Sequence, residues 1–248
     1  MMVIPDMFLM MPVAASTLSL MLKSDATGYV IMGILFLGSI YVWALMFSKW
    51  FYLKACKREC LAFLRRYRIL EHPAALFLDK RHTQASPLQA IYDQSCTALE
   101  AVLNVQGTSA SRLQAEDGGL AKITLSDRQI HSVQSAAERT VAEQALLLEA
   151  NMSYLASASS AAPFLGLLGT VLGVMTAFGS MTGSGSALLS EVAPGIAGAL
   201  GTTVVGLFVA LPSSLGYNAL SDKVRQLTVM MDNFSQELVG DLERVHGA

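Results

Sequence analysis

The chain has 248 residues, of which 53% are hydrophobic and 15% charged, and its mean hydropathy is +0.47; this balance excludes an ordinary soluble surface and requires lipid to cover part of the molecule. Lys+Arg 17 against Asp+Glu 19 gives a formal net charge of -2, too even a balance to point to nucleic acid. The histidines (His72, His82, His131 and His246) are scattered through polar segments, and without a nucleophile-base pair, a phosphate-cradling loop or a ligand cluster the sequence predicts no enzyme, no metal and no cofactor.

Residues 1–25 begin with an apolar, Met-rich stretch from Met1 to Leu22 that lacks a basic n-region and carries Pro5 and Pro12. That pattern argues against a cleaved signal peptide. It predicts an interfacial segment on the outer face of a membrane, with Lys23 and Asp25 at the water boundary. Residues 26–48 contain no Asp, Glu, Lys, Arg or His. At about 1.5 Å of rise per residue they can cross a hydrocarbon core of roughly 30 Å, which predicts a first transmembrane helix.

Residues 49–155 read as a cytoplasmic helical region. Leu61, Phe63 and Leu64 among Arg65, Arg66 and Arg68 predict an amphipathic continuation of the first helix, and a loop is expected around Glu71 to Pro87. The stretch Asp127 to Glu149 is free of Pro and Gly and is expected to run directly into the second span. Cys56, Cys60 and Cys96 all fall in this region, where thiols stay reduced. Neither His72 nor His82 stands at a zinc-ligand spacing from them.

A second transmembrane helix is expected over 156–182 and a third over 191–217, because no Asp, Glu, Lys, Arg or His occurs from Asn151 to Ser190 or from Val192 to Ser221. The run Thr182-Gly183-Ser184-Gly185-Ser186 marks the turn between them, over 183–190. Residues 218–248 form a C-terminal helix, with Val224, Leu227, Met231, Phe234, Leu238 and Leu242 at helical spacing. Lys49, Lys54, Lys57 and Arg58 follow the first span, Lys223 and Arg225 follow the third, and the 183–190 turn has no Lys or Arg. Cations are retained in the cytoplasm, so the N-terminus is expected outside and the C-terminus inside.

The second span offers small residues at spacings of three and four: Gly166, Thr170, Gly173 and Ala177, following Pro163. The third offers Ala199, Thr203, Gly206 and Ala210 on one face and Gly195, Gly198, Thr202 and Val205 on an adjoining one. Such stripes serve either to pack helix on helix, each Thr hydroxyl bonding back to its own preceding turn, or to line a path. The spans hold no carboxylate. If protons cross here, the titratable group must come from another chain.

Ala162-Pro163-Phe164-Leu165-Gly166-Leu167-Leu168-Gly169-Thr170-Val171-Leu172-Gly173 resembles the A-P-x-x-G-L-x-G-T-V-x-G signature of the MotA/TolQ/ExbB proton-channel family. Val192-Ala193-Pro194-Gly195-Ile196-Ala197, with Thr203 and then Pro212, Tyr217, Asn218 and Leu220, resembles that family's third span. The tail at Asp232-Asn233-Phe234 with Leu242 looks closest to its TolQ branch. The resemblance implies an all-α membrane protein of the bacterial inner membrane, assembled as a homopentameric ring around a TolR- or ExbD-like single-span partner. That partner's intramembrane Asp carries the proton, and a TolA- or TonB-like protein takes up the work.

On the same resemblance Thr170 and Thr203 face the proton path, while Pro163, Gly166, Gly173, Ala177, Gly195, Gly198, Ala199 and Gly206 serve pore or partner-helix packing. Many relatives carry Glu where Gly198 stands, so either Gly198 leaves room for water or a bulkier helix, or the path relies wholly on the partner. A Tol-Pal role in outer-membrane integrity and cell division is expected. An ExbB-like role in TonB-dependent uptake and a passive membrane scaffold are the alternatives; a MotA-like stator fits less well, because that type has four spans.

Overall fold

A computed structural model describes residues 26–69, 86–105, 125–179 and 189–246. The expected outer N-terminal segment, most of the loop after Glu71 and the Gly- and Ser-rich turn lie outside the described residues. The elements in chain order are α1 (Ala26–Tyr67), α2 (Pro87–Val105), α3 (Asp127–Glu149), α4 (Met152–Gly179) and α5 (Leu189–His246). Among the described residues, α1, α4 and α5 are the 3 helices long and apolar enough to cross a membrane. The expected fold class, an all-α membrane protein with three such helices, is the one observed.

Helix starts follow local chemistry. Ser86 accepts the Gln89 N–H on its hydroxyl at 3.2 Å and is followed by Pro87, whose missing N–H costs nothing in a first turn. At α3 the Gln129 side chain reaches back to accept the Ser126 N–H at 2.8 Å, the reciprocal half of a capping box. The other end of α3 departs from the sequence expectation. Instead of running into the second span, the helix stops at Glu149, Asn151 takes φ 67, and a new helix starts at Met152. Asn is among the few side-chain-bearing residues that enter the left-handed region readily. Lys49 Nζ donates to the Ala150 carbonyl at 2.8 Å, a cation on the negative end of α3.

The chain divides into two compact units. The first contains α1 up to Ser48, all of α4 and α5 up to Ala219. Its core gathers Ile31, Leu35, Ala162, Val209 and Ala210, with Leu165, Leu172 and Val205 packed against them. Its periphery is also apolar: Phe36, Leu37, Phe164, Phe208 and Leu215 are each at least 66% exposed. A surface of that kind is stable against lipid or other apolar helices and not against water.

The second unit contains Lys49–Tyr67 of α1, α2, α3 and α5 from Leu220, with α2 packed on α3. Phe63, Tyr67, Tyr92 and Phe234 form its aromatic centre, with Tyr67 and Phe234 edge-to-face at 5.2 Å and Phe63 and Phe234 at 5.6 Å. The Tyr67 hydroxyl donates to the Asp241 carboxylate at 2.8 Å, and Arg68 grips Glu237 with two bonds of 2.9 Å. Cys56, Cys60 and Cys96 are all free and buried. Among the described residues no three His, Cys, Asp or Glu side chains stand together as a metal site.

Candidate functional site: a hydroxyl cluster between α4 and α5

Small residues set this site within the first unit. A Cβ placed on Gly166 would lie 2.9 Å from the Thr202 carbonyl and 3.0 Å from the Thr203 Cα. One on Gly206 would lie 2.6 Å from the Ala162 carbonyl, and one on Gly173 2.6 Å from the Ala199 Cβ. Near one end of this seam Gly195 approaches Ala177, at 3.1 Å from its Cβ position. Gly166, Gly173, Ala177, Gly195, Ala199 and Gly206 thus share one close-packed seam between two helices of the same chain. Pro163 is half-buried within α4, and Gly198 is buried in α5.

That close approach brings hydroxyls onto backbone carbonyls of the opposite helix. Thr203 donates across to the Gly166 carbonyl at 3.1 Å, and Thr202 has the same carbonyl at 3.0 Å and Ala199 at 2.7 Å. Thr170 has its own-turn Gly166 carbonyl and the α5 Ala199 carbonyl, each at 3.2 Å. The Thr170 and Thr203 hydroxyls also hydrogen-bond to one another. Of the two sequence readings for these threonines, back-bonding alone describes neither: Thr203 crosses to the other helix, and Thr170 does both.

Each hydroxyl has one proton to give. Three protons meet two carbonyl oxygens and the Thr170–Thr203 contact; with Thr170 donating to Thr203, Thr203 to the Gly166 carbonyl and Thr202 to the Ala199 carbonyl, every hydroxyl proton is used. The oxygens of Thr170 and Thr203 then retain acceptor lone pairs. Thr202 is fully buried at 0% exposure, whereas Thr170 and Thr203 are part-buried and reachable from outside the seam. Their accessible side therefore accepts hydrogen bonds: a protonated carboxyl or a water can donate to it. An ionised carboxylate, which only accepts, gains a partner only if a hydroxyl proton leaves its present acceptor.

Thr202 is the member that sequence reasoning placed apart, on the face adjoining Thr203. The signal was present in Gly169, since only a position without Cβ leaves room for the Thr202 hydroxyl, 2.5 Å from where that Cβ would sit. With no Asp, Glu, Lys, Arg or His from 26 to 48, from 151 to 190 or from 192 to 221, the cluster supplies polar walls and no resident charge.

Apolar helices of membrane-spanning length, joined by a tight small-residue seam and carrying acceptor hydroxyls without a carboxylate, define a channel-wall type of membrane protein. Residues 109–233 match the MotA/TolQ/ExbB proton channel family, and the chain belongs to that family. The Tol-Pal system protein TolQ of Pseudomonas aeruginosa is 28% identical over 226 residues, 91% of this chain and 92% of the relative. The TolQ of Haemophilus influenzae is 43% identical over 97 residues, 39% of this chain and 42% of the relative, so that match spans less than half of either protein. The biopolymer transport protein ExbB of Salmonella typhimurium is 29% identical over 191 residues, 77% of this chain and 71% of the relative. The chain is a TolQ-like member of a proton channel family, which is not a family of enzymes.

Proposed function

We propose that this chain is the channel-forming subunit of a proton-motive-force-driven motor of the Tol-Pal type in the bacterial inner membrane. Its N-terminus lies on the periplasmic side and its C-terminus in the cytoplasm. Five copies form a ring around a TolR-like single-span partner whose intramembrane Asp carries the proton, and a TolA-like protein receives the work. The observation that carries this reading is the Thr170–Thr203 pair, bonded together and onto the Gly166 carbonyl in a stretch without ionisable groups.

In this mechanism the potential supplies about 2.3 kcal/mol per charge per 100 mV. A protonated partner Asp donates to the acceptor lone pairs of Thr170 or Thr203. Once ionised, it loses that bond and its helix is released from the hydroxyl face, so proton exchange becomes helix movement. Thr203→Val keeps the volume and removes the hydroxyl; Thr203→Ser keeps the hydroxyl. With the partner reconstituted, Val at 203 is expected to leave the mass of the complex unchanged and cut proton flux by about three- to ten-fold, the scale of one lost hydrogen bond between neutral groups, while Ser retains flux. Full flux with Val at 203 would remove the role given to this hydroxyl. The ExbB match over 77% of the chain supports a second reading, the same machinery energising TonB-dependent uptake; which of a TolA-like or a TonB-like protein co-purifies separates the two.

A further inference from the structure

We infer that Trp50, Lys54, Lys57 and Lys223 form a binding site for the phosphate-bearing headgroup of an anionic phospholipid. On α1, Trp50, Lys54 and Lys57 stand at spacings of four and three and so share one helix face. Lys223 reaches this face from α5 and sets its Nζ 2.8 Å from the centroid of the Trp50 ring. Lys57 Nζ donates to the Gln226 side chain at 3.3 Å, which ties a second cation to the same place. All of these residues lie within the second compact unit.

Lys54 and Lys57 are exposed, whereas Lys223 is half-buried. Burial against its neighbours, followed by the charges of Lys54 and Lys57, holds the Lys223 ammonium below its ordinary pKa. Lys54 and Lys57 are therefore both near enough for Lys223 to feel their charge. Among the described residues no salt bridge includes Lys54, Lys57 or Lys223. Lys49, by contrast, is committed to the Ala150 carbonyl. An ammonium disfavoured by two neighbouring cations, and without a counter-ion among the described residues, is relieved by a bound anion.

Sequence position selects the kind of anion. Trp50 comes two residues after the charge-free run 26–48, and Lys223 two residues after the run that ends at Ser221. Both therefore fall at headgroup depth if those runs span the membrane, where Trp is favoured and lysines attract acidic lipid. Trp50 is itself 40% exposed, so an acyl chain can lie along the ring while the phosphate meets the ammonium groups.

The test uses the full chain in mixed micelles with Trp43→Phe, which leaves Trp50 as its single tryptophan. Quenching of Trp50 is titrated with brominated phosphatidylglycerol and with brominated phosphatidylcholine. A preference of at least about five-fold for the anionic lipid is expected, the scale of one well-placed lysine. The Lys54→Gln, Lys57→Gln, Lys223→Gln triple variant should bring the ratio close to unity. Arg65→Gln, Arg66→Gln, Arg128→Gln, which removes equal charge elsewhere in the same unit, should leave it unchanged. Should the triple variant fail to fold, Lys223→Gln alone should lower the ratio at least about two-fold.

An equal loss in the arginine variant would make the effect diffuse charge and overturn the assignment, as would a parent without preference. Abolition of the preference by millimolar inorganic phosphate at constant ionic strength would assign the pocket to the free anion, and the lipid assignment would fall.

Discussion

Gly206→Ala tests the seam that builds the hydroxyl cluster. The added Cβ would stand 2.6 Å from the Ala162 carbonyl oxygen and 3.1 Å from the Gly166 Cα. Both obstacles are backbone atoms of α4, which cannot turn aside as a side chain does. Restoring ordinary contact at 3.4 Å requires the helices to separate by about 0.8 Å at this level. Overpacking of a filled interior costs about 1–3 kcal/mol. The same displacement stretches the 3.1 Å bond from Thr203 to the Gly166 carbonyl beyond hydrogen-bonding range, adding about 1 kcal/mol.

A total loss of roughly 2–4 kcal/mol is therefore expected for Gly206→Ala, read as a lowered unfolding midpoint of the purified chain in detergent. Gly240→Ala provides the contrast on the same helix, since nothing lies within 4 Å of its Cβ position. It should be neutral or stabilising by up to about 1 kcal/mol, because alanine loses less backbone freedom on entering a helix. If Gly206→Ala melts within about 0.5 kcal/mol of the parent, α4 and α5 do not approach closely at Gly166 and Gly206, and their hydroxyls do not share one cluster.

Two further predictions concern the rest of the chain. Burial pushes the Cys96 thiol up to about 12, so the unfolded chain, with its thiol near the ordinary value, gives up that proton first. The corresponding stability is complete below about pH 8.5 and declines by at most about 1.4 kcal/mol per pH unit from there toward pH 12; denaturant melts of Cys96→Ser against the parent across that range should show a flatter alkaline limb in the variant. Asn151→Val should destabilise by about 1–2 kcal/mol, because Asn151 holds φ 67 and a β-branched residue is strained there. Asn151→Gly should be tolerated, and thermal melts of the two variants side by side decide between them.

Much of this architecture is legible in one dimension. The absence of charge from 26 to 48, 151 to 190 and 192 to 221 marks the apolar stretches within α1, α4 and α5 because hydrocarbon tolerates no unpaired ion. The spacing of Gly166, Gly173, Ala177, Ala199 and Gly206 announces a close-packing surface because only small side chains let helix backbones meet. The continuation of α5 through Leu227, Phe234 and Leu242 to His246 likewise follows from helical periodicity.

Other features are invisible to periodicity. Asp127–Glu149 has helix-forming composition throughout, and the break at Asn151 is a single backbone choice that an Asn permits without requiring it. Thr202 and Thr203 are neighbours in sequence with similar local prospects. One is sealed in and one is reachable only because Gly169 accepts the first from the facing helix. Lys223 and Trp50 meet across 172 intervening residues, a pairing that no local pattern encodes.

The sequence by itself determined which segments are apolar enough to span, which faces are small and where ionisable groups are missing, since these depend on residue type and helical pitch. Tertiary structure alone decided that the small faces of α4 and α5 meet one another and that Thr170, Thr202 and Thr203 converge on the Gly166 and Ala199 carbonyls. Hydrogen bonds and close contacts are set by distances between helices, and those distances are fixed only when both packing surfaces are present together.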